Sequence, residues 1–302
     1  MIGGENNNMQ STQHQILNQF QTPGDRSIGA ILIDSGRLSA IDAEKILRAQ
    51  KDSNLRFGDA AVQLGLLRES DIQFALSQQF NYPYLGRGDN SISDEVVAAF
   101  NPFAPVVEQM RALRTQLMLR WFDVAASHQT LAIVSLANKE GRSFIAANLA
   151  VVFSQLGENT LLIDADLRNP RQNELFKLGK ITTGLSLVLS GRAEPKEAVF
   201  KIDKLRGLSL LPAGATPPNP QELLSRSVFS TMLDEYRQTY DVIIIDTPPA
   251  SASADVQTIA SRAGAVVLVA NKHTTRLADL GSLAANLQNF NVDIVGSLLN
   301  EV

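Results

Sequence analysis

The 302-residue chain contains no cysteine, so it forms no disulfide and offers neither a thiolate metal ligand nor a cysteine nucleophile. Histidine is nearly missing too: His14, His128 and His273 are scattered, which argues against a histidine metal cluster. No apolar run reaches the roughly 18 residues that a membrane-spanning helix requires. The opening residues, including Gly-Gly-Glu-Asn-Asn-Asn, have neither the charge nor the apolar stretch of a secretory signal. A net charge of −4 gives no general attraction to nucleic acid or anionic lipid. A cytoplasmic protein is expected, with no nucleic-acid partner and no direct membrane span. The 44% hydrophobic and 19% charged content is that of an ordinary globular protein, with room for one large and one small domain.

What is present centres on Val134-Ser-Leu-Ala-Asn-Lys-Glu-Gly-Arg-Ser-Phe-Ile-Ala-Ala-Asn-Leu-Ala150. An apolar strand over Leu131–Leu136 runs into a tight polar loop, and a helix begins near Gly141. Such a loop aims backbone N–H groups and the positive end of the helix at one point, which is an anion site. The nucleotide-binding P-loop has this shape and ends in Gly-Lys-Ser/Thr. Here the ending is Gly141-Arg142-Ser143, and Lys139 stands at an earlier glycine position.

Residues 1–24, rich in Asn, Gln, Ser and Thr, read as a flexible tail. Residues 25–85 read as a small helical domain built on an internal repeat. Gly29, Leu32, Gly36, Leu47 and Gln50 recur as Gly58, Ala61, Gly65, Leu76 and Gln79, each pair 29 positions apart. Each copy reads as a short helix, a glycine turn and an amphipathic helix (Ala40–Gln50, Glu69–Gln79). Residues 86–105, polar and then proline-punctuated, read as a linker to a domain over 106–302. That domain opens on a helix in which Glu108, Arg111 and Arg114 share one side. Strands are expected at Leu131–Leu136, Thr160–Ile163, Leu208–Leu211, Val242–Ile245, Ala265–Ala270 and Ile294–Leu298, with helices between them. The fold class is therefore α/β, a doubly wound and mainly parallel sheet of P-loop NTPase type, preceded by a small all-α domain.

Ligands of such sheets bind at the carboxyl ends of the strands. The second strand ends Ile163-Asp164-Ala-Asp166-Leu-Arg168, and the fourth ends Ile245-Asp246-Thr-Pro-Pro249. Paired carboxylates there suit a hard cation such as Mg²⁺, and either can accept a proton from a nearby hydroxyl. Each aspartate alone could instead cap the next helix. Their joint arrival behind a phosphate loop favours the metal.

These strand ends, together with Leu211-Pro-Ala-Gly214-Ala-Thr-Pro217-Pro218-Asn219-Pro220-Gln-Glu222-Leu-Leu224 and Glu108-x-x-Arg111-x-x-Arg114, resemble the bacterial tyrosine kinases of polysaccharide export. The resemblance covers about 105 to 302 and is nearest to the EpsG-type chain-length-determinant kinases. It implies an ATP-dependent protein-tyrosine kinase acting with a membrane-spanning chain-length protein, recruited by it to the inner face of the membrane. It implies that Asn138, Lys139, Glu140, Gly141, Arg142, Ser143 and Phe144 hold the ATP phosphates, with Asn300 facing the adenine. Ser143, Asp164 and Asp246 would hold Mg²⁺. Asp164 would be the base on the tyrosine hydroxyl, with Asp166 and Arg142 beside it. Arg168 would reach a phosphate or a neighbouring subunit, and Glu108, Arg111 and Arg114 would join subunits of a homo-oligomer.

The repeat resembles the N-terminal domain of type II secretion and pilus ATPases, some of which wrap cyclic di-GMP. By that resemblance Gly29, Gly36, Gln50, Arg56, Gly58, Gly65 and Gln79 would form the site, although the first copy has Ser27 where the second has Arg56. The other reading is a docking module whose glycines make turns.

Three departures from the kinase pattern bear on chemistry. Arg142 replaces the loop lysine, which is not a conservative exchange. Asn138-Lys139 replaces the usual Pro-Gly, so Lys139 either supplies the missing ammonium or crowds the site. The usual terminal tyrosine cluster is not seen before Val302, and the tyrosines are Tyr82, Tyr84, Tyr236 and Tyr240. Tyr236 and Tyr240 read as structural, leaving Tyr82, Tyr84 or a partner as acceptor. The alternative to a kinase is a degenerate nucleotide-binding scaffold, or a cyclic di-GMP-responsive regulator, that transfers no phosphate.

Overall fold

The chain divides into two units, Met1–Pro83 and Tyr84–Val302. A computed structural model describes residues 21–22, 25–79, 84–85 and 89–301. Most of the expected tail over 1–24 lies outside the described residues; Gln21–Thr22 pairs antiparallel with Asp25–Arg26.

In the first unit the 29-residue repeat is reproduced bond for bond. Helices α1 (Ile28–Asp34) and α2 (Ala40–Ser53) are followed by α3 (Phe57–Gln63) and α4 (Glu69–Gln79). After α1 the N–H of Gly36 donates to the Ile33 carbonyl, and those of Arg37 and Leu38 to Leu32. After α3, Gly65 donates to Val62, and Leu66 and Leu67 to Ala61. Gly36 and Gly65 sit at φ +69° and +67°, a conformation costly for any residue with a Cβ. Ser27 and Ser39 cap α1 and α2 by accepting from the N–H of Ala30 and Asp42. Leu32, Ala43, Ile46, Ala61 and Ala75 fill the core between the helices.

The second unit is built on β1 (Thr130–Ser135), β2 (Thr160–Asp164), β3 (Phe200–Lys201), β4 (Leu208–Leu211), β5 (Val242–Asp246), β6 (Ala265–Asn271) and β7 (Asp293–Asn300). They form one sheet in the order β3-β4-β2-β5-β1-β6-β7, in which β3 alone runs antiparallel. Strands such as Val242-Ile-Ile-Ile-Asp246 are buried throughout. Central parallel strands are covered on both faces, so they read as unbroken apolar runs. Helices α5 (Pro105–Arg120) and α6 (Arg142–Leu156) cover one face, where Val107, Met110, Leu149 and Phe153 meet Ile133 and Val267. Helices α7 (Ser227–Arg237), α8 (Asp255–Ala263) and α9 (Leu277–Gln288) lie on the other, where Phe229, Met232, Ile259 and Leu287 meet Val134, Ile245 and Leu268. The doubly wound α/β architecture is as expected. The two-residue β3 was not anticipated, being too short to show a pattern.

The linker expectation needs correction. Residues 89–104 pack as part of the α/β unit, with Ile92, Val96, Ala98 and Ala99 essentially inaccessible. Two buried amides on α6 receive them. Asn148 accepts from the Ala98 N–H at 2.9 Å and donates to the Glu95 carbonyl at 3.0 Å, and Gln155 donates to the Ala98 carbonyl at 2.9 Å. Polar backbone groups without a regular ladder are thus satisfied inside the core. Residues 86–88 lie outside the described ones.

One tight contact gives a stability test. A Cβ on Gly184 would fall 2.3 Å from the Pro212 carbonyl and 2.6 Å from the Gly214 nitrogen, both backbone atoms. Overpacking of this kind costs about 1–3 kcal/mol or more. Gly184→Ala is therefore expected to lower the urea unfolding midpoint with an unchanged m-value. A shift equivalent to under about 0.5 kcal/mol, the range of ordinary surface changes, would show that this crossing has room to give.

Candidate active site

Strand register brings the acids to the loop. Asp164 lies opposite Asp246 across β2 and β5, and Asp246 lies opposite Ile133 across β5 and β1. Both carboxylates therefore stand beside the turn from β1 into α6. In that turn Lys139 adopts φ +63° and Gly141 φ +94°. Glu140, 2% exposed, folds back to accept from the Ala137 N–H at 2.7 Å and from the Thr275 hydroxyl. Asn300 donates to the Glu140 carbonyl at 3.1 Å. The left-handed φ of Gly141 favours glycine, and a Cβ there would also displace the Asn300 amide, which would lie 2.3 Å away. Asn138 and Lys139 are exposed at the tip, while Ser143 and Phe144 are half-buried in the first turn of α6.

Beneath the loop the polar groups are deeply buried. Asp164, fully inaccessible, accepts from the N–H groups of Asp166 (3.2 Å), Arg171 (3.0 Å) and Gln172 (2.9 Å). Asp166 accepts from the N–H groups of Arg168 (3.2 Å) and Asn169 (2.9 Å). Gln172, also fully inaccessible, donates to the Ser143 carbonyl at 3.1 Å and to Asp246 at 2.7 Å. Arg142 turns inward: its Nη1 donates to Ser135 Oγ at 2.7 Å, its Nε lies 3.5 Å from Asp246 and its Nη2 lies 3.7 Å from Asp166.

Burial holds the Asp164 carboxyl well above the ordinary carboxylate range, and the neighbouring Asp246 pushes it further. Burial raises Asp246 as well, against the pull of Arg142 and Gln172.

Three buried polar atoms in this cluster have no hydrogen-bond partner: Arg142 Nε, Gln172 Oε1 and Asp246 Oδ1. Buried groups of this kind ordinarily find partners, so each calls for an explanation. An unpaired carboxylate oxygen beside a second carboxylate and the Ser143 hydroxyl is a donor set that fits a hard divalent cation. Among the described residues no three His, Cys, Asp or Glu side chains are disposed to cage a metal. A cation here would complete its shell with Ser143, water and phosphate, which is how Mg²⁺ is usually held.

Other expected site residues lie elsewhere or are committed. Arg168 donates to the buried Asp255 at 2.9 Å. Arg111 pairs with Glu108 within α5 at 2.7 Å, and Arg114 donates to the Val152 carbonyl at 2.9 Å. Tyr236 is buried and its hydroxyl donates to the Pro195 carbonyl at 2.8 Å. Tyr240 and Tyr84 are half-buried, and Tyr82 lies outside the described residues. In the first unit Gly29 is buried within α1, and a Cβ on Gly58 would come 3.0 Å from the Ile72 side chain. Gln50 and Gln79 are half-buried, and Arg56 is exposed ahead of α3. Packing and turns account for these glycines without a ligand. Sequence reasoning missed Gln172, Thr275, Asp255 and the bracing role of Glu140. The signal available for Gln172 was its place in the turn just beyond Asp166-Leu-Arg168-Asn-Pro170.

Comparison with known proteins bears on the family of the α/β unit. Residues 130–298 match the AAA domain family. Tyrosine-protein kinase YwqD of Bacillus subtilis (strain 168) is 36% identical over 205 residues, which cover 68% of this chain and 85% of YwqD. The solved kinase domain of Escherichia coli tyrosine kinase ETK superimposes with a TM-score of 0.63 at 33% identity, over 68% of this chain and 80% of that one. The chain spans less than a third of the length of several other relatives it matches, 28% in the case of tyrosine-protein kinase etk of Escherichia coli (strain K12). Identity of 36% with YwqD, over most of the length of both chains, makes this chain a member of the bacterial tyrosine-protein kinase family.

Proposed function

We propose that the chain is an ATP- and Mg²⁺-dependent protein-tyrosine kinase of an exopolysaccharide system. The observation that carries this is the buried pair Asp164 and Asp246, held in register beside the β1–α6 loop with an unpaired carboxylate oxygen between them and Ser143. In this reading the backbone of Asn138–Ser143 cradles the phosphates and Lys139 supplies an exposed cation. Ser143, Asp164 and Asp246 hold Mg²⁺, which offsets the charge developing on the transferred phosphoryl group. Asp164 accepts the proton of the tyrosine hydroxyl. Asp166 shapes the turn that presents Asp164, and Asn300 braces the loop. Most of the catalysis is positioning and charge offset. A membrane-spanning chain-length protein is the proposed partner, bringing the kinase to the inner face of the membrane. A homo-oligomer joined through the Glu108–Arg114 face is the proposed assembly. Because Arg56 has only Ser27 as its counterpart, the repeat is read as a docking module rather than a cyclic di-GMP site.

A second reading, nucleotide binding without transfer, draws on the inward turn of Arg142, whose charge faces the acids instead of the loop. Incubation with ATP, Mg²⁺ and a tyrosine-containing copolymer separates the two. Phosphotyrosine that is lost in Asp164→Ala supports the kinase. Tight ATP binding with no phosphotyrosine, even beside the partner's cytoplasmic segment, would support the scaffold and overturn the first reading.

Lys139 offers a graded test. It is exposed, makes no ion pair among the described residues, and holds a left-handed backbone angle. Lys139→Gly relieves that strain but removes a charged hydrogen bond to phosphate, worth about 1.5–3 kcal/mol. The variant is expected to fold at least as stably and to show a KM for ATP raised roughly ten-fold or more, as 1.4 kcal/mol is a factor of ten. An unchanged or lower KM would mean that Lys139 crowds the site instead.

A further inference from the structure

Arg142 is buried as deeply as a structural arginine, yet it is not held like one. Its side chain is 7% exposed and faces Asp246, fully inaccessible, and Asp166, 4% exposed. Arginine–carboxylate pairs that stabilise a fold are short and forked, near 2.7–2.9 Å. The same domain shows the contrast: Arg168 reaches the buried Asp255 with Nε at 2.9 Å and Nη2 at 3.5 Å, and the more exposed Arg171 reaches both oxygens of Glu95 with Nη2 at 2.8 and 3.0 Å. Arg142 stands off its acids at 3.5 and 3.7 Å, and its one firm bond is to the Ser135 hydroxyl. Its Nε and the facing Asp246 oxygen are both buried without a hydrogen-bond partner. The arginine therefore offsets charge among the acids without satisfying them.

Its position matters as much as its geometry. Arg142 is the first residue of α6, directly after the phosphate loop and directly before Ser143. Its backbone is fixed at the boundary between loop and acid cluster, and a long side chain rooted there can serve either side. We propose that Arg142 is a displaceable counter-ion: in the nucleotide-free protein its guanidinium stands in for the divalent cation, and metal entry releases it toward the phosphates.

This inference rests on the Mg²⁺–ATP reading above and adds a coupling to it. A dication brought to Asp246 and Ser143 repels the guanidinium and competes for the same carboxylate. The freed fork then has no acid partner and finds one in phosphate, which it grips well. Metal binding thus favours nucleotide binding, and by linkage nucleotide must favour metal by the same factor. A lysine presents a single point charge rather than a fork, so the coupling draws on this chain's departure from the usual loop.

The test uses Mn²⁺ as probe on the full chain, read by electron paramagnetic resonance without nucleotide. Arg142→Gln is expected to bind Mn²⁺ at least ten-fold tighter than the native chain, because the competing cation is gone. A non-hydrolysable ATP analogue is expected to tighten Mn²⁺ ten-fold or more in the native chain and less than three-fold in Arg142→Gln. Because buried Asp166 and Asp246 left without their arginine can destabilise the fold, a measurement on the native chain stands beside it. Modification of Arg142 by phenylglyoxal, located by mass spectrometry, is expected to accelerate several-fold when Mg²⁺ is added. Mn²⁺ affinity equal or weaker in a folded Arg142→Gln, or Arg142 labelling indifferent to Mg²⁺, would overturn the proposal. If the analogue binds neither protein, the ATP reading falls, while the counter-ion claim is still decided by Mn²⁺ alone and by the labelling.

Discussion

Asp164→Asn is expected to abolish phosphotyrosine formation and, in the same protein, to raise the melting temperature of the nucleotide-free chain. The two effects share one cause. Asp164 is fully buried beside Asp246, and that environment disfavours its charged form. Asparagine keeps the shape and can still accept the N–H groups of Arg171 and Gln172, which share one oxygen of Asp164. It carries no charge to desolvate and does not repel Asp246. It also cannot take the tyrosine proton or offer a charged ligand to Mg²⁺, so a loss of several orders of magnitude is expected.

The pH dependence has a definite sign. A carboxyl whose folded affinity for protons is raised above its ordinary value of 3.8 destabilises the fold once it must ionise. Below pH 3.8 both folded and unfolded forms are protonated and the variant has no advantage. Above it the native chain pays an increasing penalty, complete only when the folded carboxyl itself ionises. The melting-temperature advantage of Asp164→Asn should therefore grow from acid toward neutral pH. A lower melting temperature at neutral pH would mean that the lost Asp166 N–H bond outweighs the relieved charge.

Gln172→Leu is expected to raise the Mg²⁺ concentration needed for half-maximal activity by about 10–100-fold, the usual cost of losing a group that orients a metal ligand. Gln172 joins three parts of the site at once. Its side chain ties the Ser143 carbonyl to Asp246, and its backbone N–H holds Asp164. Leucine keeps the backbone bond and the volume but removes both side-chain bonds, and the loss at the buried Asp246 costs about 1–3 kcal/mol. Asp246 and the first turn of α6 should then drift relative to each other. Gln172→Glu is expected to be worse, since it sets another carboxylate against Asp246. A Mg²⁺ requirement unchanged in Gln172→Leu, with the fold intact, would remove Gln172 from the site.

What could be read in advance follows from what each feature depends on. Buried parallel strands announce themselves because both faces are apolar, and the acids that close them, Asp164 and Asp246, stand out by contrast. The N-terminal repeat was legible because two turns need glycine at equivalent places, Gly36 and Gly65. The packing of residues 89–104 was hidden, since it depends on Asn148 and Gln155, polar residues whose partners lie some fifty positions away. Gln172 was missed for the same reason. The direction of Arg142 was unreadable too: whether it faces phosphate or acid depends on Ser135, seven residues earlier and on the strand.

The central claim, that the loop and the acid-tipped strands form one Mg²⁺–ATP site, is tested most directly by calorimetric titration of the purified chain with ATP, with Mg²⁺ and with chelator. The account predicts one ATP per chain, bound at least ten-fold more tightly with Mg²⁺, and loss of that Mg²⁺ effect in Asp246→Asn. Binding of equal strength with and without Mg²⁺, or a Mg²⁺ effect that survives in Asp246→Asn, would contradict it.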